Sequence, residues 1–323
     1  MITSEVIIIG AGPAGSTCGW KLHQHGIECL ILDQQQFPRT KLCAGWITPQ
    51  VIKDLAIDVD RYPHHLVKFD RFYIHFRNKL IKLKVKQYGI RRYEFDDWLL
   101  QRSQVPLHQH EVKIICRDGD DYVIDGKFRC QYLVGAGGTH CPVYQTFFKQ
   151  RHPRSKKQMI VTLEQEFAYD YHDANCHLWF GQNNLPGYSW YVPKGNGYLN
   201  IGIGGFGQKL KANNDTIIHH WQFFVRELER LSLVKNFAFA PRGYVYYING
   251  GSQIGRIDNA FLVGDAAGLA TKDMGEGIGP AVQSGLLAAE AIMTGKPYDL
   301  RSVKKYSFPR FRFLIQLINS FVK

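Results

Sequence analysis

The chain has 323 residues, of which 45% are hydrophobic, and its formal net charge at pH 7 is +12. This length and composition favour a globular protein with a large core, built as one large domain or two closely joined ones. No run of about 20 apolar residues occurs, which argues against a membrane-spanning helix. The start of the chain, MITSEVIIIGAG, lacks the basic segment and cleavage site of a signal peptide, so we expect a cytoplasmic protein.

The cysteine and histidine patterns argue against disulfides and metal sites. Seven cysteines occur, an odd number at irregular spacing, and no C-x-x-C pair is present. Reduced thiols suit a cytoplasmic chain. His219 and His220 have no partners at metal-ligand spacing, so we interpret them as surface or core residues and predict no metal.

Two basic patches bear on possible partners: RHPRSKK at 151–157 and RSVKKYSFPRFRFLIQLINSFVK at 301–323. We interpret the first as a solvated basic face. The second mixes cations with Phe, Leu and Ile and ends as a short amphipathic helix, which permits either membrane-surface contact or packing against the protein body. No helix-turn-helix, RNP or zinc-finger pattern occurs, so we expect no nucleic-acid partner.

The N-terminal segment predicts a dinucleotide-binding unit. A strand of the kind buried in parallel sheets, EVIII at 5–9, leads directly into GAGPAG at 10–15. A helix with an apolar face follows, and a second strand, IECLIL at 27–32, runs into Asp33. In such a unit the glycines allow a tight turn and close approach of a pyrophosphate. The helix N-terminus then faces the phosphates, and the acid accepts the ribose hydroxyls.

A second glycine pattern, GIGGFG at 202–207, also follows an apolar strand. We predict that residues 208–213 do not start a packed helix, and no second β-α-β pattern follows. We therefore favour a glycine-rich strand end close to a ligand over a second nucleotide site.

Two later stretches bear on which dinucleotide is bound. QYLVGAGGTHC at 131–141 is a short strand running into glycines, and NAFLVGDAAGLATKDMGEGIGPAVQSGLLAAEAI at 259–292 is a strand, a small-residue turn and a glycine-rich helix start. With these stretches the chain resembles the flavoprotein superfamily that contains p-hydroxybenzoate hydroxylase and the geranylgeranyl reductases. The resemblance implies FAD rather than a free nicotinamide, with Asp265 on the ribityl chain and the helix start at 275–278 under the phosphates and flavin ring.

Within that superfamily the chain is most similar to the geranylgeranyl reductase branch. FPRTKLCAGW at 37–46 resembles its Lys-x-Cys-x-Gly-Gly signature, with Trp46 in place of the second glycine. This resemblance implies that Cys43 lies beside the flavin in the reaction cavity. Lys41 can lower the pKa of that thiol, and the alternative is a small buried residue that only fills space.

Two further stretches carry the same resemblance. GIRRYEFDDWLL at 89–100 resembles the branch's Arg-x-x-Phe-Asp-x-x-Leu stretch and implies a flavin contact for Arg92. GYSWYVPKGNGYLNIGIG at 187–204 resembles its Tyr-x-Trp-x-Phe-Pro segment, which lines the substrate cavity in that family. The lining residues that this resemblance implies are Tyr188, Trp190 and Pro193.

The implied chemistry is reduction of a carbon–carbon double bond by a reduced flavin. An isolated alkene has no carbonyl group to absorb charge, so an acid is needed in the transition state. Cys43 and Tyr188 are the candidate acids, and Trp190 can face the developing positive charge.

Two other functions remain open. A flavin monooxygenase or halogenase is the rival enzyme class, although the superfamily's hydroxylases usually carry Asp-Gly where this chain has Gly137 and Gly138. YSWYVP partly resembles the Trp-x-Trp-x-Ile-Pro segment of halogenases, with Tyr188 at the first Trp. The third possibility is a flavin-binding protein without activity that acts through a partner.

We predict an α/β fold in which a Rossmann-like FAD-binding domain carries an inserted antiparallel β-sheet substrate domain. The FAD-binding domain is expected at 1–60, 88–150 and 252–323, and the substrate domain at 61–87 and 151–251. A helix at 215–231 is expected to pack on the sheet. The residues expected to face inward from it are Ile218, Trp221, Val225 and Leu228.

The predicted function is a FAD-dependent oxidoreductase that reduces double bonds of a prenyl or other hydrophobic substrate. NAD(P)H or a redox protein is the expected electron donor, and the basic C-terminus is a candidate membrane-surface contact. The predicted catalytic residues are Cys43, Tyr188 and Trp190. The predicted cofactor-binding residues are Gly10, Gly12, Pro13, Ala14, Gly15, Asp33, Arg39, Lys41, Arg92, Gly137, Gly264, Asp265, Gly275, Gly277 and Ile278.

Overall fold

The computed structural model describes residues 1–77, 79–251 and 254–308. Its helices are α1 Pro13–His23, α2 Pro49–Asp54, α3 Arg92–Ser103, α4 Gly207–Ala212, α5 Ile217–Arg230 and α6 Ile278–Thr294. Its strands are β1 Ile2–Thr3, β2 Val6–Ile9, β3 Cys29–Asp33, β4 Trp46–Ile47, β5 Val67–Phe76, β6 Lys79–Gly89, β7 Leu107–Gln109, β8 Ile115–Asp118, β9 Asp121–Ile124, β10 Phe128–Cys130, β11 Tyr132–Gly135, β12 Met159–Ala168, β13 Cys176–Phe180, β14 Gly187–Lys194, β15 Tyr198–Phe206, β16 Arg242–Tyr247, β17 Arg256–Ile257 and β18 Ala260–Leu262.

The chain divides into two compact units. Among the described residues, the first comprises 1–39, 93–155 and 247–307, and the second comprises 40–92, 156–246 and 308. Residues 40–60 thus lie in the second unit, whereas the predicted domain ranges join them to the first. The physical reason is strand pairing, because β4 pairs with β6 of the second unit's sheet. Which unit binds FAD and which binds substrate stays a prediction.

The first unit is built on a six-stranded sheet in the order β17-β18-β11-β2-β3-β7, parallel except at β17. Its central strands are apolar at every position because both faces are covered. Val6 and Ile8 of β2 face the layer of α1 and α6, while Ile7 and Ile9 face residues of a small sheet ordered β1-β10-β9-β8. Each such side chain contributes about 1.5–3 kcal/mol when fully buried. The predicted Rossmann-like α/β unit is confirmed.

The second unit contains an eight-stranded sheet in the order β16-β12-β15-β14-β13-β5-β6-β4. From β12 to β4, neighbouring strands are antiparallel except for β13 and β5, which are parallel. The predicted antiparallel sheet therefore holds, apart from that one pair. Successive residues of a strand point to opposite faces, so even- and odd-numbered residues of β12, β14 and β15 line different surfaces.

Helix α5 packs on one face of this sheet. Trp221, Phe224 and Leu228 are buried against odd-numbered strand residues such as Tyr191 and Ile203. The predicted helix is confirmed, but the inward position assigned to Ile218 is wrong. The side chain of Ile218 is 59% exposed. The buried stripe has the spacing 221, 224 and 228, which puts residue 218 outside the helical face that meets the sheet.

The GIGGFG stretch ends β15 rather than opening a nucleotide-binding unit. A short helix, α4, does follow it and buries Leu210, which corrects the expectation that residues 208–213 would not form a packed helix. However, β15 pairs antiparallel with both β12 and β14, so it cannot belong to a parallel β-α-β unit. Across residues 1–77, 79–251 and 254–308, no helix has both the length and the apolar character that crossing a membrane would require.

Candidate functional site

Three glycine-rich turns meet at the carboxyl ends of neighbouring parallel strands in the first unit. They follow β2, β11 and β18, which are adjacent in the sheet. A methyl group placed on Gly10 would lie 2.5 Å from the carbonyl oxygen of Ala136, and one on Gly264 would lie 3.1 Å from Cβ of Ala14. In open α/β sheets, ligands bind outside the carboxyl ends of the strands. Residues far apart in the sequence therefore share one candidate ligand surface.

Gly10 and Gly15 make the first turn possible. Gly10 has φ = +110°, a conformation that side chains with Cβ rarely adopt. A methyl group on Gly15 would lie 1.9 Å from the carbonyl oxygen of Gly10, so α1 can approach its own entry turn only with glycine there. These two residues set the backbone, and they leave the N-terminus of α1 open. Gly12 is the N-cap, and no side chain among the described residues caps that N-terminus.

Polar groups flank this N-terminus. Asp33, at the end of β3, accepts a hydrogen bond of 2.7 Å from the Ala11 amide through Oδ2 and one of 2.9 Å from the Gln35 amide through Oδ1. Each carboxylate oxygen has further acceptor capacity. The guanidinium of Arg39 lies 3.2 Å from the buried carboxylate of Asp96, and it lies 3.5 Å from a methyl group placed on Gly12. A cation beside the amides of a helix N-terminus favours an anionic ligand such as a pyrophosphate.

The Gly-Asp pair lies at the start of α6. The Gly264 amide donates to the hydroxyl of Ser284 at 2.9 Å, which joins the turn after β18 to α6. Asp265 is half-buried, and its Oδ1 lies 3.2 Å from a methyl group placed on Gly277, the N-cap of α6. Glu276 beside it is buried and accepts a hydrogen bond from the Gly279 amide, and burial raises its pKa to about 7.

Most of the predicted cofactor-binding residues therefore fall in one unit, and two do not. Lys41 and Arg92 lie in the second unit. There the ammonium of Lys41 lies 2.9 Å from the centre of the Tyr244 ring, and Arg92 is a buried residue at the start of α3. The residues found in the first unit are Gly10, Gly12, Pro13, Ala14, Gly15, Asp33, Arg39, Gly137, Gly264, Asp265, Gly275, Gly277 and Ile278.

In the second unit, one face of the sheet carries the predicted aromatic residues. We call it the Trp190 face; it comprises the even-numbered residues of β12, β14 and β15. Glu164, Gly202 and Trp190 form one cross-strand row of it. A methyl group on Gly202 would lie 2.2 Å from the Trp190 ring and 2.7 Å from Cβ of Glu164. Because residue 202 has no side chain, the indole of Trp190 and the side chain of Glu164 can both lie over its Cα. Tyr188 lies in the neighbouring row, with its ring centre 5.7 Å from that of Trp190.

The backbone around Cys43 is bound to this face. The ammonium of Lys194 donates to the carbonyl oxygen of Ala44 and, at 2.6 Å, to that of Gly45. Asn200 donates to the carbonyl oxygen of Cys43 at 3.3 Å and accepts from Nε1 of Trp190 at 2.7 Å. Hydrogen bonds from a buried charge are each worth about 1.5–3 kcal/mol. The KLCAG segment is therefore held by residues of β14 and β15.

Burial controls the protonation of this cluster. It raises the pKa of Glu164 to about 8, against the smaller opposite effect of Lys41, and it lowers the pKa of Lys194 to about 8. At neutral pH the carboxyl group is therefore mostly protonated and the ammonium mostly charged. Burial also raises the pKa of the Cys43 thiol, and Arg92 lowers it by less. Of the two possibilities for Lys41, an effect on the thiol or solvation alone, the first does not prevail, because desolvation of the thiolate outweighs the nearby cations.

Sequence reasoning missed Glu164, Lys194 and Asn200. The signal that could have revealed them is a polar residue at a position that the strand buries. Asn200 stands between Leu199 and Ile201 in the apolar run YLNIGIGGF, and Glu164 follows Leu163 in MIVTLEQEFA. Sequence alone does not say which face of a strand is buried. Pro193, a predicted lining residue, is buried in β14 but is odd-numbered and therefore lies off the Trp190 face.

The raised pKa of Cys43 predicts slow alkylation. At pH 7, iodoacetamide should modify the exposed Cys116 first and leave Cys43 largely unmodified, since only the thiolate reacts. Labelling of Cys43 should rise as the pH is brought above 9. Peptide mass spectrometry after timed labelling measures both sites. Labelling of Cys43 at pH 7 as rapid as that of Cys116 would contradict this assignment.

Among the described residues, no group of three or more His, Cys, Asp or Glu side chains is placed to hold a metal ion. His219 is exposed and His220 is buried, and both lie beside Asp215 at distances of 3.0 Å and 2.9 Å. These positions match the surface and core interpretation of the two histidines.

Family models match both units. A model described as the geranylgeranyl reductase catalytic domain matches residues 158–236, which include β12–β15 and the Trp190 face. A model described as an NAD(P)-binding Rossmann-like domain matches residues 8–76, which include the end of β2, α1 and β3.

Several relatives resemble the chain over most of its length. An uncharacterised protein of Methanosarcina barkeri is 30% identical, over 89% of this chain and 74% of its own length. Digeranylgeranylglycerophospholipid reductase 2 of Methanosphaera stadtmanae is 25% identical, over 95% of this chain and 82% of its own length.

Solved structures share the fold. A geranylgeranyl bacteriochlorophyll reductase-like protein from Thermoplasma acidophilum has a TM-score of 0.78 at 18% identity, over 100% of this chain and 84% of that protein. A flavin-dependent brominase has a TM-score of 0.69 at 18% identity, over 98% of this chain and 84% of that protein. At this identity the brominase shares the fold alone, whereas the family model and the relatives carry the classification. The chain belongs to the geranylgeranyl reductase family of flavin-dependent oxidoreductases.

Proposed function

We propose that this protein is a FAD-dependent reductase of carbon–carbon double bonds in a prenyl lipid. The observation that carries the proposal is the Trp190 face, where an indole, a phenol and a buried carboxyl group lie on one sheet surface beside the backbone of Cys43. The match to the geranylgeranyl reductase catalytic domain covers this same surface.

The first unit fits FAD. Glycine turns follow three neighbouring strands, a Cβ at Gly10 or Gly15 would collide with backbone, and the N-terminus of α1 suits the pyrophosphate. Asp33 would hold the adenosine ribose, Arg39 would contact the phosphates, and Asp265 would hold the ribityl chain. The start of α6 at Gly277 and Ile278 would lie against the flavin. When bound and reduced, FAD supplies a hydride.

The second unit fits a hydrophobic substrate. Trp190 and Tyr188 offer aromatic rings on one face, which suit an alkyl chain and can stabilise positive charge developing on an alkene carbon. The backbone at Cys43 and Ala44 is held in place, so the thiol keeps a defined position beside this surface. Whether Cys43 contacts the flavin rests on the resemblance of FPRTKLCAGW to the family signature.

The partners proposed are a prenyl lipid and an electron donor, either NAD(P)H or a redox protein. The names of relatives that act on geranylgeranyl lipids support the lipid. We also propose that the protein is cytoplasmic and contacts the membrane surface, because a prenyl lipid substrate resides in the membrane. The basic segment predicted to make that contact lies mostly at 309–323, outside the described residues.

The test is an anaerobic reaction with purified protein reconstituted with FAD. The flavin is reduced chemically and then mixed with a geranylgeranyl phospholipid or, separately, with oxygenated buffer, while flavin absorbance is recorded. Reoxidation by the lipid with formation of a saturated product is the expected result.

Two other outcomes would overturn the proposal. Reoxidation by oxygen alone, through a detectable hydroperoxide, would favour the monooxygenase or halogenase function. Failure of the protein to bind FAD would remove the basis of both functions. A protein that binds FAD but reacts with neither would fit the non-catalytic alternative.

A further inference from the structure

A buried carboxyl group, that of Glu164, lies on the Trp190 face. Glu164 is 2% exposed, and its Oε1 has no hydrogen-bond partner among the residues that the structure describes. Buried polar groups are nearly always paired, and a lone one usually has a functional reason. Its position in the Glu164–Gly202–Trp190 row puts it across one glycine from the indole.

The surroundings of Glu164 suit a group that releases a proton and then becomes charged. Burial favours the neutral acid, whereas the cations of Lys41, Lys194 and Arg92 favour the carboxylate. Glu166 on the same strand opposes ionisation, but it is engaged by Arg91, whose Nε lies 2.9 Å from its Oε1. The charged form is therefore stabilised by nearby cations without being the resting form.

The two acids named from the sequence are less suited. The pKa of the Cys43 thiol is raised above its ordinary value, so the thiol donates a proton less readily than a free cysteine does. The Tyr188 ring lies in the next row and stacks on Phe180 with ring centres 5.1 Å apart. A general acid is most effective when its pKa lies near the working pH. On this face Glu164 and Lys194 both meet that condition, but the Lys194 ammonium already donates to the carbonyl oxygens of residues 44 and 45.

We propose that Glu164 is the acid that protonates the substrate alkene. The inference rests on the proposed function. One alkene carbon takes a hydrogen with its electron pair from the reduced flavin, which becomes oxidised. The π electrons form a C–H bond at the other carbon with the proton of Glu164, whose O–H bond breaks. The carboxylate is left near Lys41 and Lys194 and recovers its proton from solvent.

The variant Glu164→Gln tests this assignment, with Glu229→Gln, at an exposed position of α5, as the matched control. Reoxidation of the reduced flavin by a geranylgeranyl phospholipid should be slower by about 100-fold or more in Glu164→Gln, which is the usual loss when a general acid is removed. The control should retain the wild-type rate. FAD binding and chemical reduction of the flavin should be unchanged in both variants.

A second measurement does not depend on turnover. Infrared spectra at pH 7 should contain a protonated carboxyl band that Glu164→Gln removes and Glu229→Gln retains. The folded protein holds this proton while the unfolded chain releases it near pH 4.5, so wild-type stability should fall between about pH 4.5 and pH 8. In the Glu164→Gln variant, the free energy of unfolding should decrease less over this pH range, because the proton-binding group is gone.

The outcomes separate the two hypotheses. If the wild type does not reduce the lipid, the proposed function fails and the role of Glu164 falls with it. If the wild type reduces the lipid and Glu164→Gln keeps the rate, only the assignment of Glu164 fails. Absence of the carboxyl band in the wild type would show an ionised Glu164 and would also overturn the assignment.

Discussion

The Gly15→Ala substitution should destabilise the first unit by more than about 3 kcal/mol, whereas Gly12→Ala should cost less than about 1 kcal/mol. Alanine is normally the better helix residue by about 1 kcal/mol, so the intrinsic effect in α1 has the opposite sign. The contact decides the outcome. A methyl group at residue 15 meets the Gly10 carbonyl oxygen at 1.9 Å, and that backbone oxygen cannot rotate away.

Gly12 has a different constraint. Its backbone angles, φ = −72° and ψ = −176°, are ordinary for alanine, and the nearest atom to a methyl group there is 3.5 Å away on Arg39. The methyl group would instead occupy the space through which a pyrophosphate approaches the N-terminus of α1. We expect the Gly12→Ala protein to remain folded and to bind FAD at least about tenfold more weakly, a loss of about 1.4 kcal/mol.

Denaturant unfolding followed by circular dichroism and FAD titration of the apoprotein measure the two effects. The pair separates a packing role from a ligand role, since the substitutions are chemically the same and lie three residues apart. Equal destabilisation of both variants would refute the steric account. Unchanged FAD affinity in Gly12→Ala would refute the placement of the pyrophosphate.

Gly202→Ala should displace the Trp190 ring and lower the rate of lipid reduction by at least about tenfold, whereas Gly204→Ala should be tolerated. Both glycines lie on the Trp190 face of β15. At residue 202 a methyl group lies 2.2 Å from the indole, which is itself held by its hydrogen bond to Asn200. At residue 204 the nearest atom is Cγ2 of Thr162 at 3.2 Å, so a shift of a few tenths of an ångström suffices.

Near-ultraviolet circular dichroism reports the displaced indole, and the anaerobic reoxidation assay reports the rate. Overpacking of this kind costs about 1–3 kcal/mol. The midpoint temperature of thermal unfolding should therefore also fall in Gly202→Ala, and not in Gly204→Ala. An unchanged aromatic spectrum in Gly202→Ala would contradict the contact. A comparable loss of rate in Gly204→Ala would show that the sheet, rather than the position of Trp190, is sensitive.

Some features followed from the sequence because their signals are local. The strand EVIII, the turn GAGPAG, the helix after it and the acid at residue 33 are consecutive, and the structure has β2, α1 and β3 in those places. The strand and helix around the Gly-Asp pair were predicted for the same reason. Hydrophobic period and glycine placement act over about ten residues, which a sequence displays directly.

The inward face of α5 was predicted only in part. Trp221 and Leu228 are buried as expected, but Ile217 rather than Ile218 packs against the cluster at the start of the helix. Both stripes are apolar in the sequence, and the choice between them depends on where the sheet lies relative to the helix. Helical periodicity gives a set of possible faces, and packing selects one of them.

The cluster around Glu164 depended on tertiary structure entirely. Strand register placed Glu164, Gly202 and Trp190 in one row, and hydrogen bonds from Lys194 and Asn200 brought residues 43–45 to the same face. Burial then reversed the expected acidity of Cys43 and neutralised Glu164. The sequence by itself determined the glycine turns, the acid after β3 and the family resemblance. The tertiary structure decided which side chains share a desolvated surface, because register and desolvation arise only when distant segments pack together.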